Sequence, residues 1–242
     1  MSLLLPLGGA LILLTIDSAI ELAFISSMVG YLHRSGANQY PFNSDNGTSA
    51  LINAKPAHLL LNEGHTSNGA AGTCLILICF GGFLVLWTQR RRDQKVVLLM
   101  SWLGKEARLT KTPQNTSPRP SRLFLIYTIF TVISFLLTTA ALGYTFAVTN
   151  QTKGQTIDTA VAVQFQGEGY PLDQWTPENW TKALLALPIT SDEDASYLEH
   201  WLRVMEGWKW NLIPMFLIGL CVASLSVMDC LRERRLSRTY QV

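Results

Sequence analysis

The sequence predicts an all-α membrane protein: four transmembrane helices with a small acidic exterior cap, made of a short strand and two helices. Three features of the 242-residue chain lead to this fold class. Residues 66–88 and 123–148 are apolar runs without a single Asp, Glu, Lys or Arg. The loop between them, 89–122, contains nine basic residues and two acids. Residues 150–207 contain nine acids and three bases, so the net charge of +2 hides strongly segregated charge.

The basic loop sets the predicted orientation of the chain in the membrane. A spanning helix needs about 20 apolar residues, and both runs that flank the loop reach that length. Lys and Arg collect in cytoplasmic loops, so residues 89–122 are expected in the cytoplasm. With four spans, both chain ends are then expected in the cytoplasm and the acidic stretch on the exterior side.

The predicted elements follow one another along the chain. They are a first transmembrane helix (1–32), a first exterior loop (33–68), a second transmembrane helix (69–88), the basic cytoplasmic loop (89–122), a third transmembrane helix (123–148), the acidic exterior cap (149–208), a fourth transmembrane helix (209–228) and a basic cytoplasmic tail (229–242). A cleaved signal peptide is the alternative for residues 1–32. No Lys or Arg precedes the apolar run and no clean A-x-A site follows it, which favours a retained helix.

Two carboxylates lie inside the first predicted span. Asp17 and Glu21 are four residues apart, so they share one face of a helix. An ionisable residue inside a membrane is costly and is therefore a candidate for function. Three roles stay open: hydrogen bonding to a neighbouring helix, pairing with a basic residue of a partner protein, and binding a proton or cation.

The start of the central loop is expected to contact anionic inner-leaflet lipid. Residues 96–103 (VVLLMSWL) form an apolar island among bases that is too short to cross a bilayer. One interpretation is a helix at the level of the headgroups. Its lipid contacts would be Arg90, Arg91, Arg92, Lys95 and Trp102. The other interpretation is an island that packs beneath the spans, and in both the Arg triplet is expected to end the second helix.

Three local signals place secondary structure in the acidic cap. Apolar and polar residues alternate from Ile157 to Phe165, which predicts a half-exposed strand. The Thr-Pro pair at 176–177 is typical of a helix start. Ser191, with an acid three residues later, fits a capping pattern, and the apolar residues that follow recur at helical spacing. A cap of this size has a small core and is expected to depend on contacts with the transmembrane helices for its stability.

Four N-glycosylation sequons begin at Asn46, Asn115, Asn150 and Asn179. Glycans are added outside the cytoplasm, so Asn115 in the basic loop is expected to stay unmodified. Asn150 follows the third span too closely to be well placed. Asn179 is expected to be modified first, on the premise that its side chain is exposed, and Asn46 second.

Two other modification sites lie near the cytoplasmic membrane surface. Cys230 is a juxtamembrane candidate for palmitoylation, with an unmodified thiol as the alternative. Ser237 follows an Arg pair in the manner of a basophilic kinase site. Phosphate there would weaken attraction to anionic lipid, whereas the alternative is a tail that is always basic.

The chain has no catalytic or cofactor motif. G-x-S-x-G, H-E-x-x-H, P-loop and G-x-G-x-x-G sequences are absent. The four histidines are scattered, all four cysteines lie in apolar runs, and no C-x-x-C occurs. We therefore predict neither an enzyme nor a cofactor or metal site.

Four spans with a larger second outer loop resemble the layout of the tetraspanins. Tetraspanins also carry a Cys-Cys-Gly motif and cysteines in the large loop, and claudins carry a W-G-L-W motif and a paired cysteine in the first loop. Neither set of motifs is present here. The resemblance is confined to the layout, and the sequence assigns no family.

The predicted function is that of a multi-pass membrane glycoprotein with a partner-binding or structural role. Expected partners are the lipid bilayer, anionic inner-leaflet lipids and other membrane proteins. Nucleic acid is not expected, because the basic clusters flank apolar runs. The alternative is a small transporter or channel subunit that uses Asp17 and Glu21. The expected location is the secretory pathway, with the plasma membrane favoured.

Overall fold

The computed structural model describes residues 3–44, 47–106 and 122–239. Its helices are α1 (Leu4–Ser35), α2 (Asn62–Thr73), α3 (Gly81–Glu106), α4 (Arg122–Gln151), α5 (Thr159–Gln164), α6 (Pro177–Leu185) and α7 (Asp192–Thr239). A π-helical segment, Cys74–Phe80, joins α2 to α3. Strand β1 (Gln39–Asn43) pairs antiparallel with β2 (Ser49–Asn53).

Four helical stretches are long and apolar enough to cross a membrane. They are Leu4–Ser35, Asn62–Arg92, Arg122–Gln151 and Asp192–Arg235. This confirms the predicted all-α fold class with four transmembrane helices. The helical form has a physical cause, because a helix pairs its backbone N–H and C=O groups internally where no water is present to do so.

Two helices continue beyond the ends that the sequence suggested. Helix α3 passes through the Arg triplet and ends at Glu106. Helix α7 is one element of 48 residues, about 72 Å long, in place of a separate cap helix and fourth span. Arginine is a good helix former, so it ends the apolar run without ending the helix. Pro214 lies inside α7, and membrane helices tolerate an internal proline.

The strand predicted for residues 157–165 is wrong, because this stretch forms α5. The Asp158 carboxylate accepts hydrogen bonds from the backbone N–H groups of Ala160 at 2.9 Å and Val161 at 3.3 Å. That N-cap stabilises a helix start, and Ile157 and Val161 are four residues apart, which suits a helix as well as an alternating strand.

The strands lie in the first predicted loop, where the sequence suggested only turns. Tyr40 pairs with Ile52 and Phe42 with Ala50, and all four side chains are buried. The residues between them point to the other face, as the period of two in a strand requires. The hairpin therefore supplies one apolar face.

The two helix starts predicted from capping residues are confirmed. The Asn179 N–H donates to Thr176 Oγ1 at 3.2 Å, and the Asp194 N–H donates to Ser191 Oγ at 3.2 Å. Both hydroxyls satisfy a donor that has no partner within its helix.

The chain divides into two compact units. The first takes the described residues of Met1–Ser18, Gly72–Leu137 and Met215–Val242, and the second those of Ala19–Ala71 and Thr138–Pro214.

In the first unit, the π-helical segment receives a hydrogen bond from another helix. The Tyr127 hydroxyl donates to the Ile78 carbonyl oxygen at 3.3 Å, and both groups are buried. A π turn disturbs the regular i→i−4 pairing. Hydrocarbon offers no replacement hydrogen-bond partner, so the Tyr127 hydroxyl of α4 stabilises the Ile78 carbonyl group.

Gly82 of the first unit is expected to tolerate no side chain. A Cβ atom there would lie 2.6 Å from Tyr127 Oη and 2.7 Å from Leu11 Cδ1. Both side chains would have to move, so we expect Gly82→Ala to lower the free energy of unfolding by about 1–3 kcal/mol. Chemical unfolding of the full-length protein in detergent measures this change.

The neighbouring Gly81 is the matched control, because a Cβ atom there has no heavy atom within 4 Å. Gly81→Ala is expected to be neutral or stabilising, since alanine is favoured over glycine inside a helix by up to about 1 kcal/mol. Equal effects of the two substitutions would contradict the close packing at Gly82.

The second unit contains two apolar clusters. The larger one, which we call the cap core, joins the β hairpin to α5, α6 and the start of α7. Its members include Tyr40, Phe42, Ile52, Tyr170, Trp175, Trp180, Leu184 and Leu198. The smaller cluster packs Ile25, Met28 and Tyr31 of α1 against Met205 and Trp208 of α7. The cap core is therefore larger than residues 149–208 could form by themselves.

Candidate functional site

Glu21 is placed in the interior of the second unit with a partner from another helix. Its side chain has no exposed surface, and Asn211 Nδ2 of α7 donates to Glu21 Oε2 at 3.0 Å. Of the three roles left open by the sequence, this contact favours hydrogen bonding between helices. Asp17, in the first unit, is also buried, with 8% of its surface exposed.

A cluster of four charged residues, the Glu178 cluster, joins α6 to α7. Glu178 Oε1 accepts from Lys209 Nζ at 2.6 Å and from Lys182 Nζ at 2.7 Å. Lys182 also contacts Glu206 at 2.8 Å. Glu178 is 3% exposed and the Lys209 side chain 11%, so this pair is buried, whereas the Lys182–Glu206 pair is 44% and 38% exposed.

The buried pair is the part of this cluster that matters for stability. Exposed ion pairs contribute about 0–1 kcal/mol, whereas removing one member of a buried pair is strongly destabilising.

The pKa of Lys182 lies above its ordinary value. Burial lowers this pKa, but the hydrogen bonds from Lys182 to Glu178 and Glu206 and the negative charges of these two residues raise it by more. The pairing of Lys182 with Glu178 and Glu206 therefore stabilises the fold at neutral pH, and the contribution of the Lys182 charge is lost as the pH rises through its raised pKa.

Asn179 does not have the exposed side chain on which its predicted glycosylation rested. It is 5% exposed, and its Nδ2 donates to the Thr149 carbonyl oxygen at 2.7 Å and to Thr152 Oγ1 at 2.6 Å. A glycan is bulky and would be attached through the same nitrogen. Modification at Asn179 stays a prediction, and this packing weighs against it. By contrast, the side chain of Asn150 is exposed.

The other predicted sites are placed as follows. Arg90, Arg91 and Arg92 are exposed on α3, and the Arg91 guanidinium lies over the Trp87 ring, 3.9 Å from its centroid. Cys230 is buried, at 5% exposure, which weighs against its palmitoylation. Asn46, Asn115 and the side chains of Lys95, Trp102 and Ser237 lie outside the described residues.

A cavity that the sequence did not suggest lies in the second unit. It has a volume of about 420 Å³. Its lining combines apolar side chains of α1 with polar or charged residues, namely His33, Lys55, Glu63, His65 and Asn68. Glu63, in the first turn of α2, is 1% exposed. The sequence places this acid just before an apolar run, and that position is the signal that could have found it.

Within the part of the chain that the structure describes, the Glu63 carboxylate has no hydrogen-bond donor from another residue. Neither Oε1 nor Oε2 accepts a hydrogen bond from another residue, and no ion pair includes them. A buried polar atom without a partner costs about 1–3 kcal/mol, and more when it is charged.

No group of three His, Cys, Asp or Glu side chains among the described residues is arranged to hold a metal ion. No family model, curated protein or solved structure matches this chain.

Proposed function

We propose that this protein is a non-enzymatic, multi-pass membrane protein that binds other membrane proteins through one loop of its cap. The loop spans residues 165–175, and we call it the presenting loop. The observation that carries the proposal is its mixture of exposed and anchored apolar side chains. Phe165 and Leu172 are 38% and 44% exposed, whereas Tyr170 and Trp175 are buried in the cap core.

The backbone of the presenting loop is tightly constrained. Asp173 has a φ of 63°, which is uncommon for a residue other than glycine and costs about 1–3 kcal/mol. At Gly169 a Cβ atom would lie 2.9 Å from the backbone nitrogen of Ala57, and the Ala57 N–H donates to the Tyr170 carbonyl oxygen at 3.0 Å.

These constraints support a binding role. Strained backbone in a folded protein is concentrated at functional sites. A loop that is already ordered loses little conformational entropy when a partner binds, so its exposed apolar side chains contribute more of their burial to affinity. Phe165 and Leu172 are the exposed apolar side chains of this loop that a protein partner would cover.

A photo-activatable amino acid at position 172 tests the proposal in intact membranes. We expect cross-linking at position 172 to give discrete adducts with one or a few membrane proteins, and we expect Phe165→Asp to reduce them at least about tenfold, the scale of one interface hot spot. The matched control is position 51, because Leu51 lies on the β hairpin that contributes to the cap core and is 40% exposed. Identical adducts from both positions, or none from position 172, would refute the proposal.

The proposed orientation places the cap outside the cytoplasm and both chain ends inside, in a membrane of the secretory pathway and preferably the plasma membrane. The asymmetry of Lys and Arg supports it. The exposed Arg90, Arg91 and Arg92 support contact with anionic inner-leaflet lipid. In this orientation Asn46 can carry a glycan, whereas a glycan on Asn115 would invert the topology.

The alternative proposal is a small transporter or channel subunit. Its support is the burial of two carboxylates, Asp17 and Glu21, within spanning helices. The hydrogen bond from Asn211 to Glu21 favours the structural role instead. A proton or cation flux through reconstituted protein that disappears in Asp17→Asn with Glu21→Gln would favour transport.

A further inference from the structure

We propose that the cavity beside Glu63 binds the headgroup of a membrane lipid that carries a primary ammonium group, with Glu63 as its anionic partner. This inference goes beyond the proposed binding of membrane proteins and does not depend on it. It combines the shape of the cavity, the burial of its carboxylate and the charges on its wall.

The cavity has the size and lining of a ligand site. Its volume of about 420 Å³ lies within the range of about 300–1,000 Å³ that small-molecule sites occupy. Ile25, Met28 and Leu32 give it an apolar wall. Val29 and Leu61 also line it and are 44% and 39% exposed, so the apolar lining reaches the protein surface.

Glu63 contributes a buried acidic side chain, which requires a hydrogen-bond partner, to the lining of this cavity. Its side chain is 1% exposed, and no other described residue donates a hydrogen bond to its carboxylate. Its place in the first turn of α2 favours a negative charge there through the helix dipole, but this effect falls far short of the cost of burying an unpaired carboxylate. A donor from outside the chain would stabilise the ionised form of this carboxylate.

The charges on the wall select the class of ligand. A primary ammonium group offers three N–H donors and a positive charge, which is what a buried carboxylate requires. Lys55, His33 and His65 also line the cavity, and no ion pair among the described residues joins any of them to Glu63. The negative charge of Glu63 and the positive charge of Lys55, which do not pair with each other, complement a headgroup that carries both an ammonium and a phosphate.

A bilayer lipid is the source to which the proposal commits. Residues 25–33 and 63–68, which form much of the wall, belong to two of the helical stretches that are apolar enough to cross a membrane. Lipid acyl chains can therefore reach the exposed apolar rim. Phosphatidylethanolamine has the required ammonium and phosphate, and phosphatidylcholine is its matched comparison, since its quaternary ammonium has no N–H to donate.

Native mass spectrometry of the purified full-length protein, with equal amounts of both lipids added, tests the proposal. We expect the wild type to prefer phosphatidylethanolamine by about tenfold, the scale of one charge-assisted hydrogen bond. Glu63→Gln is expected to bring the preference close to unity. Glu199→Gln, which changes an exposed acid of the same unit, is the control and should leave the preference unchanged.

A second variant separates loss of binding from loss of folding. Val29→Trp fills the rim of the cavity without changing Glu63, and we expect it to reduce binding of both lipids. Stearylamine, which has an ammonium and an acyl chain but no phosphate, tests the source. Binding of stearylamine in preference to phosphatidylethanolamine, equal binding of the two phospholipids by the wild type, or an unchanged preference in Glu63→Gln would each overturn the proposal.

Discussion

Trp180→Ala is expected to unfold the cap core at physiological temperature. Trp180 is 2% exposed, and its indole Nε1–H donates to the Ala54 carbonyl oxygen at 2.8 Å. Its ring lies edge-on to Trp175, with 5.1 Å between centroids. Removing a buried tryptophan costs about 3–5 kcal/mol, which is comparable with the total stability of many domains, about 5–15 kcal/mol.

Limited proteolysis of the full-length protein over a temperature series measures this loss. We expect the Trp180→Ala cap to be cleaved at temperatures at which the wild type is protected. Trp180→Phe keeps most of the apolar volume and removes the hydrogen bond, so its cost should be clearly smaller. Trp210→Ala is the exposed control, because 56% of that side chain is accessible. Protection of Trp180→Ala equal to that of the wild type would contradict the role of Trp180 in the cap core.

Glu178→Leu is expected to be the most damaging single substitution in the Glu178 cluster. It leaves the ammonium group of Lys209 in a largely buried position without its carboxylate. Removing one member of a buried ion pair costs about 3–5 kcal/mol, chiefly because the remaining charge is unsolvated. Adding Lys209→Met should recover a large part of this cost, since the double variant replaces both charges with apolar side chains of similar size.

Glu206→Leu is the matched control for Glu178→Leu. It removes the second acid of the same cluster, but its pair with Lys182 is exposed, so the cost should be at most about 1 kcal/mol. Thermal unfolding of the four proteins in one detergent gives the comparison. If the double variant is no more stable than Glu178→Leu, the cost does not come from the unpaired charge of Lys209.

Local chemistry made some elements predictable from the sequence. Apolar runs long enough to cross a bilayer predicted the four spanning helices, because the requirement for internal hydrogen bonding applies to each helix separately. Thr176 and Ser191 predicted two helix starts, because a cap acts on an N–H only a few residues away.

The burial of the β hairpin and of several polar side chains depends on contacts between segments that are far apart in the sequence. The β hairpin has a local signal, since Tyr40 and Phe42 alternate with other residues and Asn46-Gly47 is a typical hairpin turn sequence. Its burial nevertheless depends on residues more than 100 positions later in the chain, such as Trp180 against Ala54. The partner of Glu21 is Asn211, and the burial of Asn179 depends on Thr149 and Thr152. The burial of the Glu63 carboxylate beside a cavity likewise depends on the fold. The sequence by itself determined the number of spans and two of the helix starts, because these depend on neighbouring residues. The tertiary structure decided which polar groups are buried and what they contact, because burial depends on the whole fold.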